Sequence, residues 1–173
     1  MFERWDSFFL MIGGAAGALI GLLFIVETLT AGFNRENTER GARLYMSPTV
    51  FHFAVALVVS ALALAPTLSQ DVIGGVVAAI SAIGLIYAVV VSVQLGRLSR
   101  APEPPHWTDF WYYGALAAVL YLLLEAAAIS VWAAPALAPC CIGFVLLGLV
   151  LLGVRNAWDL VTWIAPRVGR GQG

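Results

Sequence analysis

The chain has 173 residues, of which 61% are hydrophobic and 11% charged, and its net charge is −1. Apolar stretches take up nearly all of that length, which excludes a separate soluble domain. The charge balance excludes electrostatic attraction to nucleic acid, or to anionic lipid by the molecule as a whole. All nine basic residues are arginine, a pattern we attribute to bacterial coding bias.

Residues 8–29, 50–68, 72–95, 112–133 and 140–154 each read as a membrane-spanning helix. Crossing about 30 Å of hydrocarbon at about 1.5 Å per residue takes about 20 such residues. The first stretch is too long for a signal peptide and has no cleavage motif, so it is expected to stay in the protein. It carries a row of glycines, Gly13, Gly17 and Gly21, that lets another helix approach closely. That helix belongs either to the same subunit or to a second one. The loop 30–47 mixes charges and offers Asn37 or Thr38 as a cap for a short helix. Pro48 suits the first turn of span two.

Span three bears a second small-residue stripe, Gly74, Ala78, Ser81, Ala88 and Ser92. A stiff loop with Pro102, Pro104 and Pro105 follows it, and Pro135 and Pro139 break the hairpin between spans four and five. The fifth span has two readings. It ends near Val154, or it continues to about Trp163, so that Arg155 and Asp159 form an i,i+4 pair. Residues 166–173 are expected to be a flexible tail. The fold expected is therefore an all-α integral membrane bundle of five helices.

Eight arginines lie on one side of this arrangement, in the loops after spans one and three and in the C-terminal tail. Only Arg4 lies on the other. By the positive-inside rule the N-terminus faces outward and the C-terminus faces the cytoplasm, as in a multi-pass protein of a bacterial inner membrane. Trp5, Trp107, Trp111, Trp132, Trp158 and Trp163 all fall at headgroup depth on this topology.

Glu27 and Glu125 are the only carboxylates within the spans. Glu125 lies well inside span four, on a stripe with Gly114, Ala118, Tyr121, Ala128 and Trp132. An unpaired ion there costs at least ~2.5 kcal/mol, so the carboxyl is protonated, paired or exposed to a wet cavity. Two readings stay open: an ion or proton site on a pathway, or a carboxyl locking helices together through Tyr87 or Ser81. Glu27 and His52 sit at the inner end of spans one and two, at the level of Asp109, Arg155, Asp159 and Gln94. Together they suggest a polar cluster at an inner mouth, or simply side chains solvated at the interface. Cys140 and Cys141 are adjacent, too strained to pair with each other and too few to hold zinc. No phosphate loop, nucleophile elbow or haem motif appears, so neither cofactor, metal nor catalytic residue is assigned.

The opening Trp5-Asp6-Ser7-Phe8-Phe9, the Gly-Gly-Ala-Ala-Gly run after it, the Ala-Leu-Ala-Pro66 end of span two and Arg155-Asn156-Ala157-Trp158-Asp159-Leu160 carry a likeness. Over most of its length the chain resembles a family of small bacterial polytopic membrane proteins. Some of these are labelled modulators of a membrane-anchored AAA+ protease. The resemblance implies a membrane partner of that kind. The residues themselves suggest a homo-oligomeric, cation-preferring channel, with Glu125, Tyr121, Glu27 and His52 along the pathway. The alternative is an accessory or scaffolding subunit docking through the Gly13–Gly21 face.

Overall fold

A computed structural model describes residues 2–30, 47–98 and 107–170, and among these the chain is all-helical. A 3-10 turn at Phe2–Trp5 leads into α1 (Asp6–Thr30), followed by α2 (Ser47–Leu64) and α3 (Gln70–Leu98). A helical turn at Trp107–Asp109 and a π-helical segment at Phe110–Ala115 run directly into α4 (Leu116–Ala133). The last helix is α5 (Ala138–Arg170). Among the described residues five helices are long and apolar enough to cross a membrane, an architecture compatible with a multi-pass membrane protein.

The helix ends follow local chemistry. Span two stops at Leu64, four residues short of the expected end. Pro66 has no N–H to continue the ladder and disfavours helical geometry at Ala65, whose own N–H turns back to the Leu62 carbonyl at 3.2 Å. Ser69 then caps α3, its side chain accepting the Val72 N–H at 3.3 Å. Pro139 falls inside the first turn of α5 and does not break it, since the N–H it lacks there would be unsatisfied anyway. At its far end α5 takes the longer of the two expected courses. It passes through Arg155 and Asp159, which pair at 3.8 Å, and it is helical to Arg170, so the tail expected from residue 166 is mostly helix. The suggested caps Asn37 and Thr38 and the proline loop at 102–105 lie outside the described residues.

The bundle is two antiparallel hairpins held by a fifth helix. α1 packs on α2, α3 packs on α4, and α5 touches α1, α2 and α4. Between the hairpins the backbones of α2 and α4 stay apart, and aromatic side chains fill the space. Phe51 of α2 stacks against Tyr87 of α3 at 4.9 Å and against Tyr121 of α4 at 6.2 Å. α5 comes close to α2 because Gly153 has no side chain: a Cβ there would stand 2.5 Å from the Phe53 ring. Phe53, Tyr121, Leu124, Ile142, Leu146 and Leu149 form the fully buried centre.

Candidate functional site

Several polar side chains inside the spans make contacts between helices, while Ser92 and Ser130 bond back to their own. The stripe on α4 that carries Glu125 faces the small-residue stripe of α3. Trp132 lies over Gly74, Tyr121 over Gly84, and Gly114 against Ser92, so the two stripes fit as antiparallel ridges. Glu125 meets Ser81 in this seam, hydrogen-bonded through Oε2 to the serine Oγ. Of the two partners expected for it, Ser81 is the one used. The same Oγ lies 2.9 Å from the Ala78 carbonyl. The serine hydroxyl thus stands between the Glu125 carboxyl and a carbonyl of its own helix. Glu125 is half-buried and Ser81 fully buried, so this lock sits at the edge of the α3–α4 contact.

His52 and Tyr121, both expected on an ion pathway, come together across the gap between the hairpins. His52 Nδ1 is 2.9 Å from the Tyr121 hydroxyl, and both side chains are buried. His52 therefore does not join the Arg155 group near the end of the bundle: it turns inward, 1% exposed. Among the described residues its other nitrogen, Nε2, is buried with no hydrogen-bond partner, and so are Ser60 Oγ and Asn156 Nδ2. Neither tautomer of the ring satisfies both nitrogens.

Comparison with family models, curated proteins and solved structures finds no match. The site is therefore read from its own geometry, and the family likeness rests on the residues quoted for it.

Of the group expected at the inner mouth, Arg155 and Asp159 pair, and Arg155 also lies 3.6 Å over the Tyr112 ring. One guanidinium N–H reaches Asn156 Oδ1 at 3.3 Å. Asp109 stands where the π-helical segment begins. Glu27 lies in α1, its side chain outside the described residues. The glycine row of α1 divides. A Cβ on Gly13 would stand 3.0 Å from Ser60 of α2, whereas one on Gly17 would touch only Leu57, at 3.9 Å, and one on Gly21 would meet nothing within 4 Å. Gly14 is equally open. Gly14, Ala15, Ala18 and Gly21 thus form a shallow exposed strip, with Met11 and Leu22 standing out at its two ends.

Three features escaped the sequence reading. Trp132 donates its ring N–H to Asp71 at 2.8 Å, tying the start of α3 to the end of α4. Tyr113 donates to the Asn156 carbonyl at 3.0 Å, tying α4 to α5. The π-helical segment, with its widened turn, lets the adjacent Tyr112 and Tyr113 both reach α5. The cue for the first was visible: an acid and a tryptophan, each beside a short hairpin turn.

Proposed function

We propose that this chain is an accessory or scaffolding subunit of the bacterial inner membrane, with its N-terminus outside, that docks onto another helical membrane protein through the outer strip of α1. The observation that carries the reading is the division of labour between inside and outside. Glu125, His52, Tyr121, Tyr113 and Asp71 are engaged within the subunit, while Gly14, Ala15, Ala18 and Gly21 leave a smooth exposed face on which none of the described residues packs. In lipid, helices associate where small residues let backbones approach and gain dispersion contacts, which is what this strip offers. The label carried by some of the proteins the chain resembles points the same way, towards a membrane protease complex.

The test is isolation from native membranes in mild detergent. The wild type should bring down a second membrane protein in fixed ratio, and Gly21→Leu should lose it while remaining folded. A chain that isolates alone, or a partner retained by Gly21→Leu, refutes the reading.

A second reading, a homo-oligomeric cation channel, is favoured by one observation: Glu125 is only half-buried, so an assembled oligomer has a carboxyl available near its interfaces. Ion flux into liposomes that changes with Glu125→Gln supports it. Absence of flux from a folded wild type removes it.

A further inference from the structure

A groove of about 310 Å³ runs along the outside of the α4–α5 contact. Its walls are Leu116, Leu120, Gly148 and Leu151, and Tyr112 and Arg155 close one end. Gly148 forms the floor, because a Cβ there would already stand 3.0 Å from Leu120. The open trough exists because this position has no side chain.

Depth along the helices fixes which part of a bilayer the groove faces. Tyr112 is near the start of the Phe110–Ala133 span, and Arg155, in the last third of the Ala138–Thr162 span, touches it and so shares its depth. Both therefore lie near one border of the hydrocarbon, on the side where the arginines collect. From Tyr112 to Leu120, and from Arg155 to Gly148, the chain descends about 10–12 Å at about 1.5 Å per residue. One leaflet's hydrocarbon is about 15 Å deep. The groove is apolar along most of a leaflet and cationic at the headgroup border.

Arg155 is not fully neutralised there. Its contact with Asp159 is 3.8 Å long and made by one terminal nitrogen, Nη1, which also serves Asn156 Oδ1 at 3.3 Å. The guanidinium has five N–H donors and is centred 3.6 Å over the Tyr112 ring, which holds it at the groove's end and leaves donors for an anion. The widened helical turn at Phe110–Ala115 is what presents Tyr112 to it.

We propose that this groove is a binding site for an anionic diacyl phospholipid of the cytoplasmic leaflet. One acyl chain lies between Leu116, Leu120 and Leu151, and the phosphate takes a charge-assisted hydrogen bond from Arg155. The overall charge of −1 gives the protein no general affinity for anionic lipid, so the preference is a property of this one place. The proposal rests on membrane insertion and on the arginine-bearing end being cytoplasmic. It does not depend on any partner at α1.

The test is native mass spectrometry of the purified full chain, titrated with phosphatidylglycerol or with phosphatidylcholine of identical acyl chains. The first phosphatidylglycerol should bind at least tenfold more tightly than the first phosphatidylcholine. Arg155→Gln should bring the two within twofold by weakening only phosphatidylglycerol, and Arg155→Lys should keep most of the preference. Leu116→Trp, which fills the trough, should weaken both lipids about fivefold, and Leu122→Trp on a different exposed face of α4 should change neither. A wild type without preference, a preference that survives Arg155→Gln, or a Leu116→Trp protein that binds normally overturns the proposal. So does an Arg155→Gln protein that loses both lipids equally, since that marks Arg155 as structural.

Discussion

Replacing Gly84 by alanine should destabilise the bundle far more than the same change at Gly14. A Cβ on Gly84 would be driven into the Tyr121 ring, while one on Gly14 meets nothing within 4 Å. Tyr121 has little room to yield. It is fully buried, Phe51 lies against it at 6.2 Å, and its hydroxyl is held by His52 at 2.9 Å. Overpacking of this kind costs about 1–3 kcal/mol, and a displaced ring would also forfeit a hydrogen bond of about 0.5–1.5 kcal/mol. We expect a loss of about 2–3 kcal/mol, which is a ~30- to 150-fold change in the folding equilibrium at about 1.4 kcal/mol per factor of ten. The assay is unfolding of the detergent-solubilised protein by added sodium dodecyl sulfate, followed by tryptophan fluorescence. Gly14→Ala should stay within about 0.5 kcal/mol of wild type, as surface changes generally do. In a Tyr121→Leu background, Gly84→Ala should cost much less than it does in the wild type. Equal midpoints for Gly84→Ala and Gly14→Ala would refute the account of how α3 seats α4.

Other outcomes follow from the same contacts. Tyr121→Phe leaves His52 buried with neither nitrogen partnered and should cost about 1–3 kcal/mol by the same unfolding assay, whereas His52→Phe with Tyr121→Phe should cost less than the single change. Glu125→Gln retains an oxygen to accept from Ser81 and should unfold like wild type, while Glu125→Leu should lose about 0.6 kcal/mol, the average for such bonds in a membrane bundle. Asp71→Ala frees the Trp132 ring N–H and should cost no more than about 1 kcal/mol, because that pair is exposed.

Much of the fold was legible because long apolar runs have few alternatives in a chain this size. The Ser81 partner of Glu125 and the Arg155–Asp159 pair were also within reach, since each follows from helical spacing and depth. Rotation was harder to read than depth. His52 was placed by its level near the end of α2, and only the packed structure turns it inward to Tyr121. A helix that is apolar all round gives the sequence no face to assign. The glycine row shows the same limit. Residues four apart drift about 40° around a helix of 3.6 residues per turn, so Gly13 and Gly21 differ by about 80°. One faces Ser60 and the other faces outward. The π-helical segment left no mark in composition, because its hydrogen-bond pattern is set by the fit of Tyr112 and Tyr113 to α5.

The central claim is that the outer strip of α1 is where this protein meets its partner. A photo-cross-linking residue placed at Ala18, in cells expressing the chain at native level, tests it most directly, with the same residue at Ile86 of α3 as the control, an exposed site on another face. The account predicts one discrete adduct with a different membrane protein from Ala18, abolished by Gly21→Leu, and none from Ile86. Adducts of equal yield from both positions, or none from either, would contradict it.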